Sequence, residues 1–237
     1  MSFICAVDVE LPRENIAVAI MPSIFGSHIG ILFHTAKDGV HVLHLRFHKD
    51  LVAEPFPQAT EACWIASLAN VPPVAAKALV GVVRALSKRL PQIKYGINFL
   101  AAQGSIEGNG TYKAPKGSDG LTCATFVLEV FRAASLRLIK EDSWKPTEDN
   151  KVWANRVCAL LERQEVDPAH IEHVRSNITG LRVRPEEVAA ASQNPTKDRP
   201  IEFTQAELQA AVVMEQLKTL CDKKNGHIRP TDVPRAA

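Results

Sequence analysis

Two features of this chain could carry nucleophilic chemistry: a cysteine at the head of an apolar run, and a cluster of histidines far upstream of it. Cys123 opens the stretch Leu121 to Ala134 (LTCATFVLEVFRAA). From Phe126 onward, Val127, Val130, Phe131, Ala134 and Leu138 recur at helical spacing, which predicts a helix with one face packed inward. A thiol in the first turn of that helix feels the positive end of its dipole, which favours the thiolate. Taken alone, Cys123 reads as a core residue, because it shares a face with positions 126, 127 and 130. A free thiol with a pKa of ~8.5 is only a few per cent ionised at neutral pH, so catalysis requires a base.

Five of the eight histidines fall between positions 28 and 48, in two β-branched and aliphatic runs around Asp38-Gly39. Asp-Gly between such runs predicts a hairpin, with strands over His28 to Thr35 and Val40 to Phe47. A neutral imidazole on one strand can take the thiol proton, and a second polar side chain on its other nitrogen would hold the working tautomer. Strand alternation puts His41 and His44 on opposite faces, so only one can share a face with His28, and the sequence leaves either open. His34 and His48 sit near strand ends, where solvent-exposed residues are expected, and receive no role. His170 and His173 share a helix face without any zinc-site pattern and read as surface residues.

The order of these segments resembles the circularly permuted papain-fold hydrolases, a group of NlpC-type peptidases and amidases and of acyltransferases similar to lecithin:retinol acyltransferase. His28-Ile29-Gly30-Ile31-Leu32, then Val42-Leu43-His44-Leu45, then Thr122-Cys123-Ala124-Thr125-Phe126-Val127 carry the resemblance, which covers roughly residues 20 to 135. Tyr95-Gly96-Ile97-Asn98-Phe99 looks like the short aromatic segment that precedes the cysteine in that group. The resemblance implies Cys123 as nucleophile, His28 as general base and His44 as the orienting third residue, with His41 a substitute for it. It also implies an α+β, permuted papain-like (NlpC-type) fold, with an antiparallel sheet packed on the Cys-bearing helix. The activity implied is a cysteine-dependent hydrolase that cleaves an amide or peptide bond through a thioester, with no cofactor and no metal. An acyltransferase or phospholipase would use the same residues. The membrane-bound acyltransferases of the group carry a long apolar C-terminal anchor that this chain lacks, which makes lipid the less favoured substrate. A binding protein that keeps the fold with an inert Cys123 is the non-catalytic alternative.

Around these residues the sequence predicts strands up to Phe47, helices over 59–70 and 73–90, and a glycine-rich Gly104 to Gly120 segment that reads either as an active-site lid or as a plain surface loop. The predicted organisation is a catalytic domain over 1–140, a helical extension over 141–192, and a linker, terminal helix and loose tail over 193–237. The polar stretch 193–200 serves as the linker, and a capping box at Thr204 and Glu207 starts the last helix, which ends near Asn225-Gly226. With 237 residues and 46% apolar content, a sizeable core is expected. A net charge of +2 and 6% aromatics argue against nucleic acid as a partner. The five scattered cysteines, without a Cys-x-x-Cys pair, point to a reducing compartment. With no secretory signal and no run of the ~20 apolar residues needed to span a bilayer, a cytoplasmic protein is expected, delivery by a specialised secretion machine being left open. The C-terminal helices could offer a surface to a protein partner.

Overall fold

The computed structural model describes residues 16–23, 26–35, 39–56, 64–67 and 71–226. The chain is α+β. Short apolar runs, buried on both faces in the central strands, build an antiparallel sheet from β1 (Ala17–Ser23), β2 (Gly26–His34), β3 (Val40–Phe47), β4 (Asp50–Pro55) and β5 (Trp64–Ser67). The strands lie in the order β4-β3-β2-β1-β5. The expected hairpin joins β2 and β3, with the Thr35 N–H donating to the Gly39 carbonyl at 3.0 Å; Asp38 lies outside the described residues. β5 occupies part of the span where a helix is predicted over 59–70, and the rest of that span is likewise outside. The opening strand signal at Val7 and Val9 also falls there, whereas Ile16 and Val18 are buried in the core.

One pairing detail shapes the molecule. The β2–β3 ladder runs only from Ile31↔Leu43 to His34↔Val40. Beyond it β2 stays with β1 as far as Gly26, and β3 stays with β4 as far as Phe47. The sheet therefore forks, with His28 on one leaf and His44 on the other. Gly30 sits at the fork, where a Cβ would lie 2.6 Å from Val42 Cγ2 and 3.0 Å from His44 Cβ. Only a glycine lets β3 lie this close to the β2 backbone.

Helix α1 (Pro73–Arg89) and the cysteine helix α2 (Cys123–Ala133) match their predicted spans closely. Every residue of α2 from Cys123 to Phe131 is buried, because the helix is covered by β2 and β3, by α1 and by a later helix. After residue 140 come α3 (Glu148–Arg163), α4 (Pro168–Ser176), α5 (Pro185–Gln193) and α6 (Phe203–Gly226). Their apolar faces join the core of the sheet and α2: Val157, Val174, Val188 and Val213 belong to the same buried cluster as Ile29 and Phe126. The core thus runs without a break across position 140. The 193–200 linker packs against α5 and α6. Asn194 is buried and exchanges hydrogen bonds with Gln209 of α6, and Arg199 caps the carbonyls of Ser192 and Asn194. Among the described residues, no helix is long and apolar enough to cross a membrane.

Candidate active site

Cys123 is held by the start of α2. The Thr122 hydroxyl accepts from the Thr125 N–H at 3.1 Å, and the Thr125 hydroxyl accepts from the Thr122 N–H at 2.7 Å, a reciprocal cap that fixes the first turn. The approach to that turn is pinned as well. Tyr95 bridges Leu121 in parallel, and Gly120, at φ +125°, would place a Cβ 2.1 Å from the Lys94 carbonyl oxygen. Buried Asp119 accepts from the N–H groups of Ile97 and Asn98 and from the Asn177 amide. The Tyr95–Phe99 segment is thereby tied to the residues just ahead of the cysteine.

The histidines meet at the fork. The His28 Nε2 and His44 Nδ1 atoms are 2.7 Å apart, and His44 Nε2 lies 2.9 Å from Glu54 Oε1. Register places Glu54 opposite Val42, on the face that also carries His44. The open choice between His41 and His44 has a geometric answer: His41 pairs with Phe33 on the other face and is buried beside its ring, and His44 alone of the two contacts His28. The proton positions follow from chemistry. A carboxylate only accepts, so His44 carries its proton on Nε2; its bare Nδ1 then accepts from the His28 Nε2–H, and the bare nitrogen of a neutral His28 is Nδ1.

His28, His44, Glu54 and Cys123 all line one cavity of about 450 Å³. Tyr95, Thr122, Trp153 and Arg182 share its wall. Cys123 is 7% exposed, and its thiol lies within reach of the backbone N–H of Ile29, next to His28. Among the described residues, no hydrogen bond joins the thiol to His28, and the two line the same cavity. Burial works against the thiolate that the helix start favours. It pushes the thiol up to about 11, although the Ile29 N–H, the Arg182 charge and the first N–H groups of α2 pull the other way. His28 is lowered to about 3, first by burial and then by the charges of His44 and Arg46. The resting pair is a neutral thiol and a neutral imidazole. Burial, then the neighbouring thiol, raises the pKa of the Tyr95 phenol, which stays protonated.

Several side chains take positions the sequence did not signal. His170 is buried and its Nε2–H donates to the Tyr95 carbonyl at 2.9 Å, so it is no surface residue. His48 is half-buried and accepts from the Tyr95 N–H through Nδ1. Glu54 and Arg182 carried no motif at all. The glycine-rich Gly104 to Gly120 segment contributes nothing to the cavity wall. It is fastened to α2 by Glu129, which accepts from the N–H groups of Gly104 and Ser105, and to α1 by Arg89 on the Asn109 carbonyl, so it is a packed loop and not a lid. Cys158 is buried in α3, away from the cavity. Among the described residues, no group of three or more His, Cys, Asp or Glu side chains could hold a metal ion.

Comparisons with family models, with curated proteins and with solved structures find no match for this chain.

Proposed function

We propose that the protein is a cysteine-dependent hydrolase of amide or peptide bonds, built on a permuted papain-like arrangement. The observation that carries this reading is the chain Glu54–His44–His28, which leads from a solvent-side carboxylate to a base in the same cavity as a helix-start cysteine. In the proposed reaction His28 Nδ1 takes the Cys123 proton as the sulfur attacks the acyl carbon. His44 holds the His28 tautomer, and Glu54 stabilises the charge that develops on the two rings. The tetrahedral oxygen has two donors nearby, the Cys123 N–H at the head of α2 and the protonated Tyr95 hydroxyl. His28 returns its proton to the leaving nitrogen, the C–N bond breaks, and water, deprotonated by His28, hydrolyses the thioester and restores the thiol.

Incubation with p-nitrophenyl acetate followed by mass spectrometry tests this directly. An acetyl group is expected on Cys123 in the parent protein, none at that position in Cys123→Ala, and a rate of acetylation lowered by ~10²–10⁴ in His28→Ala. A second reading, a binding domain with an inert core cysteine, draws on the burial of the thiol and on the absence, among the described residues, of a hydrogen bond between it and His28. Acetylation of Cys123 no faster than that of Cys158 would favour it.

A further inference from the structure

Arg182 is the unusual cation of the cavity. Its guanidinium carbon stands 3.8 Å from the centre of the Trp153 ring, and both side chains line the wall. Among the described residues, it forms no salt bridge and donates no hydrogen bond. The other arginines nearby are engaged: Arg46 holds Asp50 through two bonds of 2.9 and 3.1 Å and lies 3.7 Å from Glu54, and Arg184 lies 3.9 Å from Glu187. Glu186, the acid whose charge most affects Arg182, accepts from the Ser27 hydroxyl at 2.5 Å. The cavity wall that Arg182 shares with Trp153 includes the apolar Pro22, Leu160, Val183 and Pro185. A second, polar recess of about 250 Å³ also opens onto Arg182 and Ser27.

Holding an unpaired cation against apolar surface is costly, and the cost is recovered when an anion occupies its donors. The planar fork of N–H groups matches a carboxylate bidentately, and stacking on an indole fixes the plane of that fork. We propose that Arg182 binds a substrate carboxylate, so that the substrate is an amide or peptide bearing a free carboxylate close to the bond under attack. The inference rests on Cys123 being the nucleophile and gives that reading its substrate class. Of the acids that line the two recesses, Glu54 is engaged by His44 and Glu186 by Ser27, while the exposed Asp149 borders the polar recess beside Arg182.

Binding without turnover isolates the claim. In Cys123→Ala protein, N-acetylphenylalanine and its neutral amide are titrated and followed by tryptophan fluorescence and calorimetry. The acid is expected to bind at least ~10-fold more tightly than the amide, as a charge-assisted pair would require. Arg182→Gln should abolish that preference, while Arg182→Lys, which keeps the charge and loses the fork, should retain part of it. Equal affinities, absence of binding by both, or a preference that survives in Arg182→Gln would overturn the proposal. p-Nitrophenyl acetate is neutral, so acetylation of Cys123 without a carboxylate preference defeats this inference and spares the hydrolase. A preference for the acid without acetylation defeats the hydrolase and leaves a carboxylate-binding site.

Discussion

The base in the proposed reaction is set by a carboxylate two residues removed from it. Because Glu54 can only accept from His44, the proton sequence along the two rings is determined and the bare nitrogen of His28 is Nδ1. Glu54→Gln keeps an acceptor for the His44 Nε2–H in its amide oxygen but removes the carboxylate charge that stabilises the protonated rings. The expected result is slower acetylation of Cys123, with a loss smaller than the ~10²–10⁴ of His28→Ala. Thermal stability should hardly change, since the Glu54 side chain is 43% exposed. His28, His44 and Cys123 were legible because a histidine or cysteine stands out among aliphatic neighbours. Glu54 and Arg182 were not, because nothing local distinguishes a carboxylate or guanidinium that turns into a cavity from one that faces water.

Elements, by contrast, announce themselves when both pattern and punctuation agree. The Asp-Gly turn with flanking β-branched runs, the Pro73 start of α1 and the apolar spacing of α2 all point one way, and each element forms where expected. Trp64-Ile65-Ala66-Ser67 lacks such agreement: a short apolar run fits either period, and pairing with β1 decides in favour of a strand. The glycine-rich loop was ambiguous for another reason, since its anchors are Glu129 and Arg89, neither of them adjacent in sequence. The close approach of β3 to β2 depends on an element-level feature, the absence of a side chain at position 30. Gly30→Ala would press a methyl into Val42 and His44, costing ~1–3 kcal/mol in urea unfolding and moving His44 off its partners. Acetylation of Cys123 should fall in the folded variant; full activity at reduced stability would mean that the approach of β3 to β2 does not position the histidines.

At the scale of the molecule, the helices after residue 140 do more than extend the sheet and α2. Trp153 of α3, Arg182 and Val183 from the α4–α5 connection, and Pro185 of α5 complete the cavity that β1 to β4 and α2 leave open. This enclosure was not legible, because amphipathic periods predict helices without saying what they cover. Its consequence is electrostatic. Water excluded by the whole fold drives the thiol up to about 11 and the imidazole down to about 3, so both groups are neutral between those limits. Attack through free thiolate would then rise tenfold with each pH unit up to about 11, whereas attack assisted by neutral His28 is independent of pH across the same window. The central claim is therefore best tested by the rate of iodoacetamide alkylation at Cys123, measured by mass spectrometry from about pH 5 to pH 9 in the parent and in His28→Ala. The account predicts a flat profile for the parent and, for the variant, a lower line climbing tenfold per pH unit. A parent profile that climbs the same way and overlays that of His28→Ala would contradict it.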